Sequence, residues 1–164
     1  MKAMIHFYRC VFSGLLCLLA LPAASAGEPT LLSGQTLYLP VYSHVYHGNP
    51  DKSGKPAETL VSTHVSLRNT DTLVAIRIGY ARYYDTQGKL VRNYISTPIT
   101  IPPLGTHEIF VPRADTAGGS GANFMIGWSA EQAANAPIVE ALHADIREAR
   151  TLMFITTAQA VKAR

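Results

Sequence analysis

The stretch Tyr38–Leu39–Pro40–Val41–Tyr42–Ser43–His44–Val45–Tyr46–His47 is the chain's densest cluster of side chains able to ligate a metal, stack on a ring or donate a hydrogen bond. On an extended backbone successive side chains point to opposite faces. Leu37, Leu39, Val41 and Val45 then share one side, and Tyr38, Tyr42, His44 and Tyr46 the other. A solvent-facing row of Tyr and His suits protein or glycan recognition. If the strand that follows pairs with this one, His64 and Arg68 join the row. A sharper chemistry is a copper or zinc site built from His44, His47 and His64, because neutral imidazole is the commonest transition-metal ligand. Spacing works against it: His44 and His47 are three apart, on opposite faces of a strand unless a bulge or turn intervenes near Gly48. Ordinary surface histidines explain the same residues.

A second candidate is the loop Asp115–Thr116–Ala117–Gly118–Gly119–Ser120–Gly121–Ala122–Asn123. Consecutive glycines can turn several backbone N–H groups towards one anion, which makes Gly118, Gly119, Ser120, Gly121 and Asn123 possible ligand contacts. The Lys and following helix of a phosphate-binding P-loop are missing, and a tight connection into the next strand accounts for the glycines equally well. A Ser/His/Asp triad can be assembled on paper from Ser120, His107 or His143, and Asp115. No nucleophile elbow or zinc-protease signature accompanies it, and Glu140 and Asp145 fit solvent-facing strand positions near Arg147. The expectation is a protein without catalytic residues and without a cofactor, copper or zinc being the alternative.

The elements that would hold these residues are strands. Short runs rich in Val, Ile, Tyr, Thr and Phe alternate with Gly, Pro, Asn and Asp clusters, the strand-and-turn pattern. Eight strands are expected: Leu37–Tyr46, Thr59–Asn69, Val74–Tyr84, Lys89–Ile95, His107–Val111, Asn123–Ser129, Ile138–Arg147 and Leu152–Thr157. Val61, Val65 and Leu67 alternate with Ser62, His64, Ser66 and Arg68, so one face is core and the other wet. Val74, Ile76, Ile78 and Tyr80 form a second inward row, and Phe124, Ile126 and Trp128 a third. Tyr84–Lys89 reads as a hairpin turn in which Asp85 bonds its own backbone and Gly88 takes a positive φ. Pro102–Pro103–Leu104–Gly105 is a firm break. The alanine-rich run after Ser129 allows a helical turn, and Gln159–Arg164 reads as a loose end. The fold class expected is all-β, an Ig-like antiparallel β-sandwich of about eight strands.

Where this domain works is suggested by the first 26 residues. Lys2 and Arg9 precede the apolar run Val11–Leu21, and Ala24 and Ala26 offer a small-residue cleavage site. This is the pattern of an export signal peptide, with an apolar run too short for a membrane span. Cleavage after Ala26 leaves one domain, residues 27–164, expected in the periplasm or secreted and without a transmembrane span. Cys10 and Cys17 both lie in the leader, which removes disulfide and thiolate chemistry from the mature domain. The mature part carries 12 basic against 11 acidic residues, a balance that gives no electrostatic footprint for nucleic acid.

Four blocks together resemble a known family, the exported bacterial domain of unknown function catalogued as DUF3124. They are Leu37–Tyr46, Ser66–Leu67–Arg68–Asn69–Thr70–Asp71, Tyr83–Leu90, and Gly118–Phe124 with Trp128 behind it. The resemblance extends from about Gln35 to about Ala158. It implies no activity and no ligand residue. It does imply lipid-anchored relatives, whereas neither Cys10, after Arg9, nor Cys17, after Leu16, sits in a lipobox here. In strand–turn rhythm the chain is more loosely similar to the Ig-like domains of the late-embryogenesis-abundant type. The function expected is a binding or interaction module of the cell envelope with an unidentified protein or envelope component as partner.

Overall fold

The computed structural model describes residues 30–162; the leader with its expected cleavage site lies outside them. In chain order the strands are β1 (Leu32–Pro40), β2 (His44–His47), β3 (Ala57–Leu60), β4 (Ser62–Arg68), β5 (Ile76–Tyr84), β6 (Leu90–Ile95), β7 (Ile99–Ile101), β8 (Thr106–Val111), β9 (Asn123–Ala134), β10 (Ile138–Arg147), β11 (Arg150–Thr157) and β12 (Gln159–Val161). One sheet runs β12-β1-β9-β5-β6 with β7 also on β5, a second runs β11-β10-β4-β8, and β2 and β3 form a separate ribbon. Every pairing is antiparallel.

The two larger sheets face each other across one apolar core, and period-two alternation decides which residues enter it. Leu37 and Leu39 of β1, Val65 and Leu67 of β4, and Phe124, Ile126 and Trp128 of β9 are all buried. Each fully buried Leu, Ile or Phe contributes roughly 2 kcal/mol of apolar transfer free energy. On β5 the alternation changes phase. Ile76 and Ile78 point inward, a bulge falls between Ile78 and Tyr80, and Ala81 and Tyr83 take over the inward positions. Tyr80 is thereby turned outward, where its ring lies over Gly127 and its hydroxyl meets Thr36 Oγ1 at 3.4 Å. The expected inward row Val74, Ile76, Ile78 and Tyr80 holds at Ile76 and Ile78, with Val74 half-buried against the core, and fails at Tyr80, because one extra residue flips every later side chain.

Three further expectations change. The run Leu37–Tyr46 is two strands, since Pro40 ends β1 and the backbone at Val41–Ser43 bonds elsewhere. Val41 N–H reaches Ala122 O and Ser43 N–H reaches Gly119 O, both at 2.9 Å, while Ser43 O accepts Val61 N–H at 3.0 Å. The alanine-rich run is not a helical turn; it continues β9 to Ala134, which stacks inward beside the core. Nor is Gln159–Val161 loose, for β12 covers the outer edge of β1 with Thr36 opposite Val161. The hairpin after Tyr84 is as expected. Asp85 Oδ1 accepts Gln87 N–H at 2.9 Å and Lys89 N–H at 2.8 Å, and Gly88 has φ +78.

Candidate functional site

β10 lies between β11 and β4, and its two faces do different things. Inward it carries Val139, Ala141, His143 and Asp145, all buried, a row that becomes more polar towards the end where the β2–β3 ribbon lies. Outward it carries Leu142, Ala144 and Ile146. The register places Ile155, Leu142, His64 and Phe110 side by side across four strands, and Met153 beside Ala144 in the next row. Phe110 is 59% exposed, Ile155 61% and Ile146 69%. Neighbouring strands lie less than 5 Å apart, so these residues form one apolar patch on the outside of the second sheet. One end is charged, where Arg68 Nη1 lies 4.0 Å from Glu140 Oε2, and Glu108 Oε1 there reaches back to His64 Nε2 within the patch at 3.3 Å.

The expected Tyr/His/Arg row is distributed over several surfaces. His64 and Arg68 stand on the outer face of the second sheet. Tyr38, on β1 opposite Met125, belongs to the outer face of the first. Tyr42 lies between β1 and β2, its ring edge-on to His143 and to Phe154 at 5.6 Å each, so it closes one end of the core. His44 and Tyr46 are together, in a T-shaped contact of 4.9 Å on the ribbon. The strand that was expected to bring His44 to His64 and Arg68 ends at Pro40, and β2 pairs with β3 instead.

The three candidate metal ligands are likewise apart. His47 Nε2 is hydrogen bonded to Thr59 Oγ1 at 3.0 Å, His44 Nε2 is enclosed without a hydrogen-bond partner, and His64 pairs with Glu108. Among the described residues no group of three His, Cys, Asp or Glu side chains is placed to hold a metal ion. The triad candidates are not joined by any hydrogen bond. His143 Nε2 accepts Tyr42 N–H at 3.1 Å, and its ring stacks on Phe154 at 4.4 Å. Burial pushes its pKa down to about 4, against the weaker upward pull of the Phe154 and Ala141 backbone. Asp115 is paired with Arg92 at 3.5 Å.

The glycine loop has a packing task. A Cβ on Gly118 would coincide with the Tyr83 hydroxyl, and one on Gly119, at φ +76, would strike Thr86 Oγ1. Its backbone is already bonded: Thr86 N–H and Oγ1 both donate to Gly118 O, at 2.9 and 3.1 Å, and Gly121 N–H donates to Thr86 Oγ1 at 3.0 Å. The loop also receives Ser43 N–H, while Ser43 Oγ and Tyr83 Oη meet at 3.2 Å. Gly119 N–H donates to Thr116 O at 3.2 Å, and Ser120 and Asn123 flank this lock.

Sequence reasoning passed over a charged cluster. Asp145 is buried, not solvent-facing, and three arginines converge on it. Arg113 Nε is 3.1 Å from Oδ1, Arg150 Nη2 is 3.0 Å from Oδ2, and Arg147 Nε is 3.1 Å from both oxygens. Burial raises the Asp145 pKa, but the hydrogen bonds from Arg147 and Arg150 and the charges of Arg147 and Arg113 outweigh it and leave the group below its ordinary value. The available signal was the alternation Val139–Ala141–His143–Asp145, which puts Asp145 on the inward face; Arg113, on another element, had none.

No curated protein matches the chain. The crystal structure of Thermotoga maritima 1070 is similar over 76% of this chain and 92% of that one, at 10% identity and a TM-score of 0.41. A family model matches residues 34–161, and the chain belongs to that family, described as protein of unknown function (DUF3124).

Proposed function

We propose that this domain is an interaction module of the cell envelope, exported to the periplasm, that works by binding a protein partner through the outer face of its second sheet. The observation that carries the reading is the apolar patch of exposed Ile146, Met153 and Ile155 around half-buried Leu142, with exposed Phe110 on the other side of His64, edged by Glu108 and the Arg68–Glu140 pair. An apolar centre with a charged border is the anatomy of a recognition surface. Export is supported by the basic and apolar leader of residues 1–26. No catalytic step is assigned to the module.

The test compares the mature domain with a Phe110→Ser, Ile155→Lys double variant. Both substitutions are on the wet side, so melting temperature should change by no more than a few degrees while cross-linked capture of a discrete periplasmic partner is lost. Equal capture by the variant would remove this face from consideration. In the same melts, copper or zinc should leave the wild type unchanged; a rise that His44→Ala abolishes would favour the metal-binding alternative.

A further inference from the structure

The arginine cluster exceeds what Asp145 requires. One guanidinium neutralises a carboxylate in a bidentate pair, yet three converge here, each about half exposed. No other Asp or Glu among the described residues lies within ion-pair distance of them. Two positive charges remain over, and guanidiniums around one carboxylate repel each other. Each arginine has five N–H donors, and only Arg113 Nε, Arg147 Nε and Arg150 Nη2 are engaged, with Asp145, Leu60 O and Thr59 Oγ1 as acceptors. The other donors of the three guanidiniums have no side-chain or backbone acceptor among the described residues.

Beside the cluster is a pocket of about 250 Å³ lined by Val45, His47, Thr59, Arg150, Thr151 and Leu152. It lies between the β2–β3 ribbon and β11, and Arg150 belongs to both pocket and cluster. Val45 and Leu152 make its walls apolar. Thr59 Oγ1 ties it together, reached by His47 Nε2 at 3.0 Å and by Arg150 Nη2 at 3.5 Å. At about 30 Å³ per water, the space takes roughly eight non-hydrogen atoms.

We propose that Arg113, Arg147 and Arg150 form the rim of a binding site for a small organic carboxylate whose short hydrocarbon part enters the pocket against Val45 and Leu152. The carboxylate meets the spare guanidinium donors and offsets the surplus charge, while the hydrocarbon leaves water for an apolar wall. A bare inorganic anion satisfies only the first half of this arrangement, and a neutral alcohol only the second. The site is distinct from the outer face of the second sheet, since Asp145 and Leu152 lie on the inward side of β10 and β11.

The experiment is an NMR titration of the mature domain with sodium hexanoate, 1-hexanol and inorganic phosphate, following the Val45 and Leu152 methyl signals and the arginine side-chain N–H signals. Hexanoate should bind saturably and move both sets. Hexanol and phosphate should each bind at least tenfold more weakly. Arg150→Gln should weaken hexanoate at least tenfold, the loss of one charge-assisted contact. Leu152→Trp, which fills the pocket and leaves the arginines intact, should abolish the Val45 methyl shift and decides the matter should the Arg150 variant not fold. Hexanoate binding no tighter than hexanol or phosphate, or unaffected by Leu152→Trp, overturns the proposal.

Discussion

At the scale of single residues, the side chains most intolerant of change lie inside the sandwich. Gly118 is fixed by the Tyr83 ring that occupies the place of its Cβ. Gly118→Ala must displace Tyr83 and break its contact with Ser43, and overpacking of this kind costs about 3 kcal/mol, to be read as a lower urea midpoint. Gly48→Ala, with open space around it, should be destabilised only by the backbone strain a Cβ introduces at φ +70, about 1 kcal/mol. Asn69 is a second fixed point: its Nδ2 donates to Val74 O, Ile101 O and Pro102 O at 2.9 to 3.2 Å, and its Oδ1 accepts Asp71 N–H. Asn69→Leu orphans these buried groups and should cost about 3 kcal/mol or more in the same measurement.

His143 gives the molecule a pH dependence. Its ring takes up a proton at about 4 in the native state, against an ordinary 6.5, so between those values the unfolded chain binds more protons. Stability is therefore complete above pH 6.5 and falls as pH drops towards 4, by at most about 3 kcal/mol. Urea midpoints measured from pH 7.5 to 4 should show this slope, and His143→Phe should lack it. Asp71 acts in a lower window. The backbone N–H groups of Asn135, Leu73 and Val74 hold its pKa below 3.8, and the stability they contribute is lost only as pH falls through that depressed value.

At the scale of elements, what the sequence made legible was whatever local chemistry decides. The Asp85–Gly88 turn, the dry side of β4, and the inward Phe124–Ile126–Trp128 row all follow from residues within one element, and all are found, whereas Ser66 on the expected wet side of β4 is buried. What escaped depended on partners distant in the chain. The break after Pro40 exists because Val41 and Ser43 bond to Ala122 and Gly119, and the phase change on β5 is a bulge against β9. The candidate site shows the same division. His64 and Arg68 could be placed on an outer face, but their apolar neighbours Phe110, Met153 and Ile155 come from strands whose order no local pattern encodes. The small strand β12 offers a prediction at this scale. Ending the chain after Ala158 uncovers the edge of β1, a nine-residue strand, and open edges template pairing between chains. The truncated domain should show stronger concentration-dependent association in sedimentation than the full mature domain; equal association of the two would overturn this.

At the scale of the whole molecule, the core gathers residues from both sheets around β9, β5 and β1 on one side and β10 and β4 on the other. The two surfaces singled out are separated by the thickness of one sheet, being the outward and inward sides of β10 and β11. A partner on the outer face and a carboxylate at the arginine rim are thus compatible in one complex. β1 stands between β9 and β12, the latter contributed by residues 159–161. A chain delivered from its N-terminal end presents β1 first and both of its neighbours among the last. Its Leu37 and Leu39 must wait, unpaired, through most of delivery, while the β5–β6 hairpin has its partner at hand as soon as it emerges. Folding is therefore expected to start at the β5–β6 hairpin, with closure of the first sheet following β9 and β12, so substitutions in that hairpin should slow refolding more than substitutions in β12.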